Sequence, residues 1–156
     1  AGSYTIGPTG DFASFTEAVD SISQVGAIDT VTFLVQAGTY TEQFTIKEIP
    51  YVTDSIPVTF RAENDGDLVI LEFMNTETDN YLIKLDSADH LTFQGITFRA
   101  LNPDYARIIQ IENGATYNQF IDNIFESSGT DHAIIFSLGD QDHGNIFNGN
   151  TLTGGK

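Results

Sequence analysis

The 156 residues contain no cysteine, no tryptophan and a single methionine. Without cysteine there is no disulfide framework and no thiolate metal site, so packing and hydrogen bonds must hold the chain together. The redox compartment then cannot be read from disulfides. Cationic side chains are nearly as scarce: six Lys and Arg stand against 22 Asp and Glu, a net charge of −16. That balance excludes a nucleic-acid partner, because nothing would neutralise its phosphates. It also argues against anionic membrane surfaces. No apolar run approaches the ~18 residues of a membrane-spanning helix, which excludes membrane insertion by a helix. The acidic excess permits cation binding and keeps a protein soluble in salt.

Large apolar side chains are plentiful. Apolar residues make up 40 % of the chain, with 12 Phe and 6 Tyr, so residues 1–156 read as one globular domain. One helix is expected, over Asp11 to Gly26. Phe15, Ala18, Val19, Ile22 and Val25 share a face at helical spacing. Ser14-x-x-Glu17 is a capping box, and Gly26 is placed to end the helix in a left-handed conformation. Everything after it reads as short strands punctuated by Gly, Asn and Asp: Val31–Val35, Phe44–Ile46, Val58–Phe60, Tyr81–Leu85 and Leu91–Phe93.

Displaced by the interval from Phe93 to Phe120, the last third of the chain lies on itself. Ala106–Ile111 falls on Ala133–Leu138, Asn118 on Asn145, and Asn123 on Asn150. Phe93 falls on Phe120 and then Phe147; Phe98 falls on Phe125 and then Leu152. Tyr81–Leu85 joins the first set after a slip of one residue. A fixed period built only of strand and turn means stacked coils of a parallel β-solenoid. Coils stack about 4.8 Å apart, so equivalent side chains become axial neighbours. The sequence therefore predicts an internal Phe93/Phe120/Phe147 stack and two Asn ladders at turns, where Asn tolerates positive φ and its amide reaches the next coil. The fold expected is all-β, a right-handed parallel β-helix. An N-terminal strand and capping α-helix (residues 1–30) precede coils over 31–156, and the helix covers the open edge of the stack. The stretch Thr153-Gly154-Gly155-Lys156 follows a strand pattern without a capping helix, which predicts either further coils there or an end that pairs with another molecule.

Gly10-Asp11-Phe12-Ala13-Ser14-Phe15-Thr16-Glu17-Ala18-Val19-Asp20 resembles the opening of pectin methylesterases and related pectin-lyase-like β-helices. Gly38-Thr39-Tyr40-Thr41-Glu42 is similar to the signature of their first coil, and Leu91–Phe98 to a later stretch. Similar openings occur in large bacterial surface and secreted β-helix proteins. The resemblance implies a secreted or cell-surface location. It does not bring the esterase chemistry with it. The family's first catalytic-segment Gln is missing near Tyr105, and its next segment near Gly129–His132 keeps an Asp but lacks its Gln. Its second Asp and its Arg would lie beyond Lys156. The scaffold is expected without its catalytic set, so the reading leans away from an enzyme.

Three Asp-His pairs stand out: Asp89-His90, Asp131-His132 and Asp142-His143. Asp131, His132, Asp142 and His143 resemble elements of polygalacturonase-like hydrolases, which use paired carboxylates. The preferred reading makes them solvated turn residues. Asp86, Asp89, Glu112, Asp140 and Asp142 fall at roughly equivalent turns, and stacked carboxylates repel unless a cation such as Ca²⁺ sits between them. Otherwise they form an acidic solvated face; no cofactor is required. Tyr51, Tyr105 and Tyr117 are the candidates for stacking on sugars. Gln94, Asp122 and Asn148 are placed near turns beside the buried Phe residues, and Asn64-Asp65-Gly66-Asp67 is a turn. The function expected is a non-catalytic module for carbohydrate binding, adhesion or assembly, with polysaccharide or self-association as partners. The alternatives are a piece of a pectinesterase- or polygalacturonase-like enzyme and a filament subunit.

Overall fold

A computed structural model describes residues 1–130 and 132–155. The chain opens with β1 (Gly2–Ile6) and α1 (Phe15–Val25). Three strands per coil follow: β2 (Val31–Val35), β3 (Gly38–Thr41) and β4 (Phe44–Lys47); then β5 (Val58–Ala62), β6 (Val69–Phe73) and β7 (Ile83–Asp86). The next coils carry β8 (Leu91–Gln94), β9 (Thr97–Ala100) and β10 (Ile109–Glu112), then β11 (Gln119–Ile121), β12 (Ile124–Ser127) and β13 (Ile135–Ser137), then β14 (Ile146–Asn148) and β15 (Thr151–Thr153). Equivalent strands pair in parallel into three sheets. The first is β1-β2-β5-β8-β11-β14, the second β3-β6-β9-β12-β15, and the third β4-β7-β10-β13. The chain is a right-handed parallel β-helix with a short helix near its N-terminus.

Register corrects one sequence expectation. In the first and second sheets the late coils keep a constant step, as in Phe93↔Phe120↔Phe147 and Phe98↔Phe125. In the third sheet the step is one residue shorter, pairing Ile83 with Ile109 and Ile109 with Ile135. The match of Ala106–Ile111 onto Ala133–Leu138 is therefore one residue off. Turn lengths on either side of the third sheet absorb the difference, so a single shift cannot describe all three sheets.

The core is built from columns. Phe33, Phe60, Phe93, Phe120 and Phe147 stack with centroids 4.8, 5.1, 5.2 and 4.8 Å apart. Phe98 and Phe125 form a second column 5.3 Å apart, set edge-on to the first. The Asn ladders also form. Asn118 Oδ1 accepts from Leu91 N–H at 3.0 Å, and its Nδ2 donates to Ala88 O at 2.8 Å. Asn123 repeats both bonds with Ile96 N–H and Phe93 O. The positive φ does not belong to these residues. It falls on the residue just before each, at Tyr117 (55°), Asp122 (52°), Gly144 (71°) and Gly149 (68°). The corner bends there, and the Asn that follows stitches it to the coil below.

The helix is shorter than the sequence suggests, and Val25 lies outside its buried face, which is Phe15, Ala18, Val19 and Ile22. Gly26 has positive φ but extended ψ (73°, 178°), so it is not in the left-handed helical well, although its N–H still reaches Ile22 O. The helix covers β3 and β4 through Phe15, which meets Tyr40 edge-on and stacks on Phe44. The first sheet ends instead in β1, which pairs in parallel with β2.

The opening motifs have structural roles. Ser14 Oγ accepts from Glu17 N–H, and Glu17 reaches back to Ala13 N–H. Glu42 then takes the helix N-terminus from the neighbouring coil: its carboxylate accepts from Phe15 N–H, Thr16 N–H and Thr16 Oγ1 at 2.9, 3.1 and 2.9 Å. Tyr40 Oη points at Gln36 O and Ile6 O. Burial first, then Glu42 and Glu63, pushes that phenol above its ordinary range. Glu42→Ala is expected to cost about 1–2 kcal/mol, as the loss of a cap and of a carboxylate at a helix N-terminus does. Urea unfolding would measure it against the exposed neighbour Thr41→Ala, and equal midpoints for the two variants would refute the capping role.

Asp11 clasps the opening segment onto β1. Its Oδ2 accepts from Thr5 N–H and Oγ1 at 2.8 and 2.9 Å. The Thr5 amide, then its hydroxyl, hold this carboxyl below the usual range. A depressed folded pKa means the clasp is fully present above about pH 4 and lost as pH falls through the folded value. Asp11→Asn should flatten the acid limb of a stability-versus-pH curve and leave its slope near neutrality unchanged.

Candidate functional site

Strand alternation separates the sheets' inner and outer faces. On the first sheet, Val31, Phe33 and Val35 and their equivalents point inward. Two columns therefore face out: Thr32, Thr59, Thr92, Gln119 and Ile146, and beside it Leu34, Arg61, Gln94, Ile121 and Asn148. These ten positions hold one cation and no carboxylate. The other two outer faces are charged. The second sheet carries a Glu72–Arg99–Glu126 ladder, with Arg99 Nη1 3.2 Å from Glu72 and Nε 2.6 Å from Glu126. Glu126 first, with Glu72, pushes the Arg99 guanidinium further up its range. The third sheet carries Lys84, Asp86 and Glu112, with Lys84 Nζ 3.6 Å from Glu112. In a chain of net charge −16, the first sheet presents the charge-poor surface.

Two corners border that surface. Where the chain enters the first sheet, His90 stacks flat on Tyr117 at 5.3 Å, and His143 meets Tyr117 edge-on at 5.4 Å. Gly144 lies over the other face of Tyr117, where a Cβ would collide with the ring. Both ring faces of Tyr117 are thus occupied, and its hydroxyl lies 3.5 Å from His143 Nε2. Tyr105 pairs with His132 at 6.1 Å on a different corner, between the second and third sheets. Tyr51 lies between β4 and β5, exposed and against Gly26. The three tyrosines do not share a face, and His132 stands apart from His90 and His143. Asp131 lies outside the described residues.

The carboxylates named from the sequence carry local bonds. Asp86 accepts from Asn113 Nδ2 at 2.7 Å, Asp89 from Thr116 N–H and Oγ1, and Glu112 from Gln110 Nε2. Asp142 accepts from Gly114 N–H, Ser137 Oγ and Gly139 N–H. Asp86 and Glu112 are register partners on adjacent strands, whereas Asp89 sits on the turn between β7 and β8, and Asp140 and Asp142 share the turn between β13 and β14. Among the described residues no three His, Asp or Glu side chains are grouped to hold a metal ion.

On the opposite border the corner into the second sheet is short in four coils (36–37, 95–96, 122–123 and 149–150) but runs over 63–68 after β5. The longer corner overhangs the ends of β5 and β8 and closes a pocket of about 330 Å³ with Arg61, Gln94 and Asp122. The sequence marks Asn64–Asp67 only as a turn. The signal for more was the pitch, since the step from Val58 to Leu91 is longer than those from Val31 to Val58 and from Thr92 to Gln119.

With the coils, corners and covering helix in place, the architecture can be set beside solved proteins. The crystal structure of the deglycosylated pectin methylesterase from Aspergillus niger superposes with a TM-score of 0.73 at 16 % identity, over 99 % of this chain and 50 % of that one. The chain shares its fold with pectin methylesterases. A point mutant of pectin methylesterase in complex with a hexasaccharide superposes at 0.69 with 14 % identity, again over 99 % and 50 %. This chain spans half the length of these pectin methylesterase structures. No family model matches it, and no curated protein does. Among the described residues no helix is long and apolar enough to cross a membrane.

Proposed function

We propose that the chain is a polysaccharide-binding β-helix module of a secreted or cell-surface protein, laying an extended glycan over the outer face of the first sheet. The charge-poor surface carries this reading. On a strongly acidic molecule, one face keeps a column of hydroxyl and amide groups, Thr32, Thr59, Thr92 and Gln119, repeated at the roughly 4.8 Å spacing of paired strands. A regular polymer meets a regular array there, and no row of carboxylates has to be desolvated. Similarity of fold to pectin methylesterases, one of them solved with a hexasaccharide, supports a glycan as the ligand. A binding role is favoured over hydrolysis because His132 stands on a different corner from His90 and His143, and four of the five carboxylates named above, all but Asp140, already hold backbone or side-chain donors.

The test is affinity electrophoresis through gels containing single polysaccharides. Thr92→Glu puts a carboxylate in the middle of the face and should weaken retention roughly tenfold, the effect of one unsatisfied polar contact. Thr39→Glu, on the exposed face of the second sheet, should leave it unchanged. If no polysaccharide retards the wild-type chain, or if Thr39→Glu is as damaging as Thr92→Glu, the reading is wrong.

A further inference from the structure

Under the 63–68 overhang the charge-poor face meets charged side chains of the loop and of the neighbouring corner. Arg61, at the end of β5, makes no ion pair among the described residues; its guanidinium donates to the neighbouring Ala62 O at 3.1 Å. Asp67 is committed to the loop, accepting from Asn64 N–H and Nδ2 at 3.2 and 2.9 Å. Asp65 and Asp122 accept no hydrogen bond among the described residues. Asp122 is held over Gly149, where any side chain would collide with its carboxylate. One guanidinium and three carboxylates surround the space, with two of the carboxylates open. A volume of about 330 Å³ is at the small end of ligand pockets and suits a single sugar ring.

We propose that this pocket seats one unit of a glycan bearing a free primary amine. The ammonium lies between Asp65 and Asp122, and Arg61 and Gln94 donate to the ring and hydroxyl oxygens of the same unit. This rests on the glycan-binding reading and specifies its ligand. Pocket and molecule agree in sign: the local excess of carboxylate over guanidinium favours an ammonium, and the net charge of −16 steers a polycation and repels a polyuronate. The expected order of affinity is amine-bearing, then N-acetylated, then uronate.

Isothermal titration of the full chain in about 0.15 M salt, where diffuse attraction is largely screened, would use three oligosaccharides of equal length: a glucosamine oligomer, its N-acetylated counterpart and a uronate oligomer. Asp122→Asn and Asp65→Asn should each weaken the glucosamine oligomer roughly tenfold, as loss of a charge-assisted bond does, with little change for the N-acetylated one. Asp20→Asn, the same change in net charge on the exposed side of the helix, should have no effect. Equal affinity for amine and N-acetyl oligomers, or tightest binding of the uronate, overturns the amine assignment and leaves the glycan reading standing. An Asp20→Asn loss equal to that of Asp122→Asn overturns the pocket, since only diffuse attraction would then be at work. Failure of all three oligomers to bind the wild-type chain removes the glycan reading itself.

Discussion

Phe93→Ala is expected to destabilise the fold by about 3–5 kcal/mol, the usual cost of truncating a fully buried phenylalanine. Phe93 is the middle ring of the five-membered column and touches Phe60, Phe98 and Phe120. Its removal opens a cavity that neither neighbour can fill, because each ring is fixed by the strand pairing that sets the coil spacing. Phe93→Leu keeps most of the volume and should cost less, about 1–1.5 kcal/mol. Urea unfolding followed by circular dichroism would give both numbers. A Phe93→Ala loss below that of Phe93→Leu would mean the column is ornamental and that strand hydrogen bonds alone hold the coils.

Asn118→Ala should cost about 2–6 kcal/mol by a different route, because alanine leaves two buried backbone groups without partners, at about 1–3 kcal/mol each. The Asn118 side chain is fully buried, and it satisfies Leu91 N–H and Ala88 O in the coil below while also meeting Asn145. Asn118→Asp separates hydrogen bonding from size. The carboxylate still accepts from Leu91 N–H but confronts Ala88 O, so burial and repulsion raise its folded pKa. A raised carboxyl pKa favours the protonated folded state, so this variant should gain stability as pH falls, opposite to the behaviour expected of Asp11. An Asn118→Asp variant with the wild-type pH dependence would contradict the ladder's role.

Much of this was legible in the sequence because the period and the physics coincide. Phe93, Phe120 and Phe147 recur at a constant interval, and parallel pairing turns that recurrence into contact. The capping box was legible for the same reason: Ser14 and Glu17 act within one turn of chain. Glu42 was visible only as part of a resembling signature, because the groups it caps lie across a coil boundary. The third sheet's shorter register was obscured because the longer shift sets Ile135, Phe136 and Leu138 against Ile108, Ile109 and Ile111, an all-apolar match, whereas the observed pairing puts Ser137 opposite Ile111. Turn length, which pattern does not reveal, settled it. Tyr51, Tyr105 and Tyr117 could be named as exposed aromatics but not placed, since corner assignment depends on strand boundaries. The pocket at Arg61 was hidden most thoroughly. It is made by an insertion, and a repeat search treats an insertion as noise.

The three-sheet stacking has a mechanical consequence. Each strand pairs with the equivalent strand one coil away, so the contacts form a ladder of near-constant sequence separation. Under tension from its two ends, such a molecule does not share load across a shear interface; it peels, one coil at a time. A coil of the common length releases roughly 90 Å of extended chain, and the longer coil from Val58 to Leu91 roughly 110 Å. The force trace would be a staircase with one long tread, and the overhang that forms the pocket is part of what lengthens it.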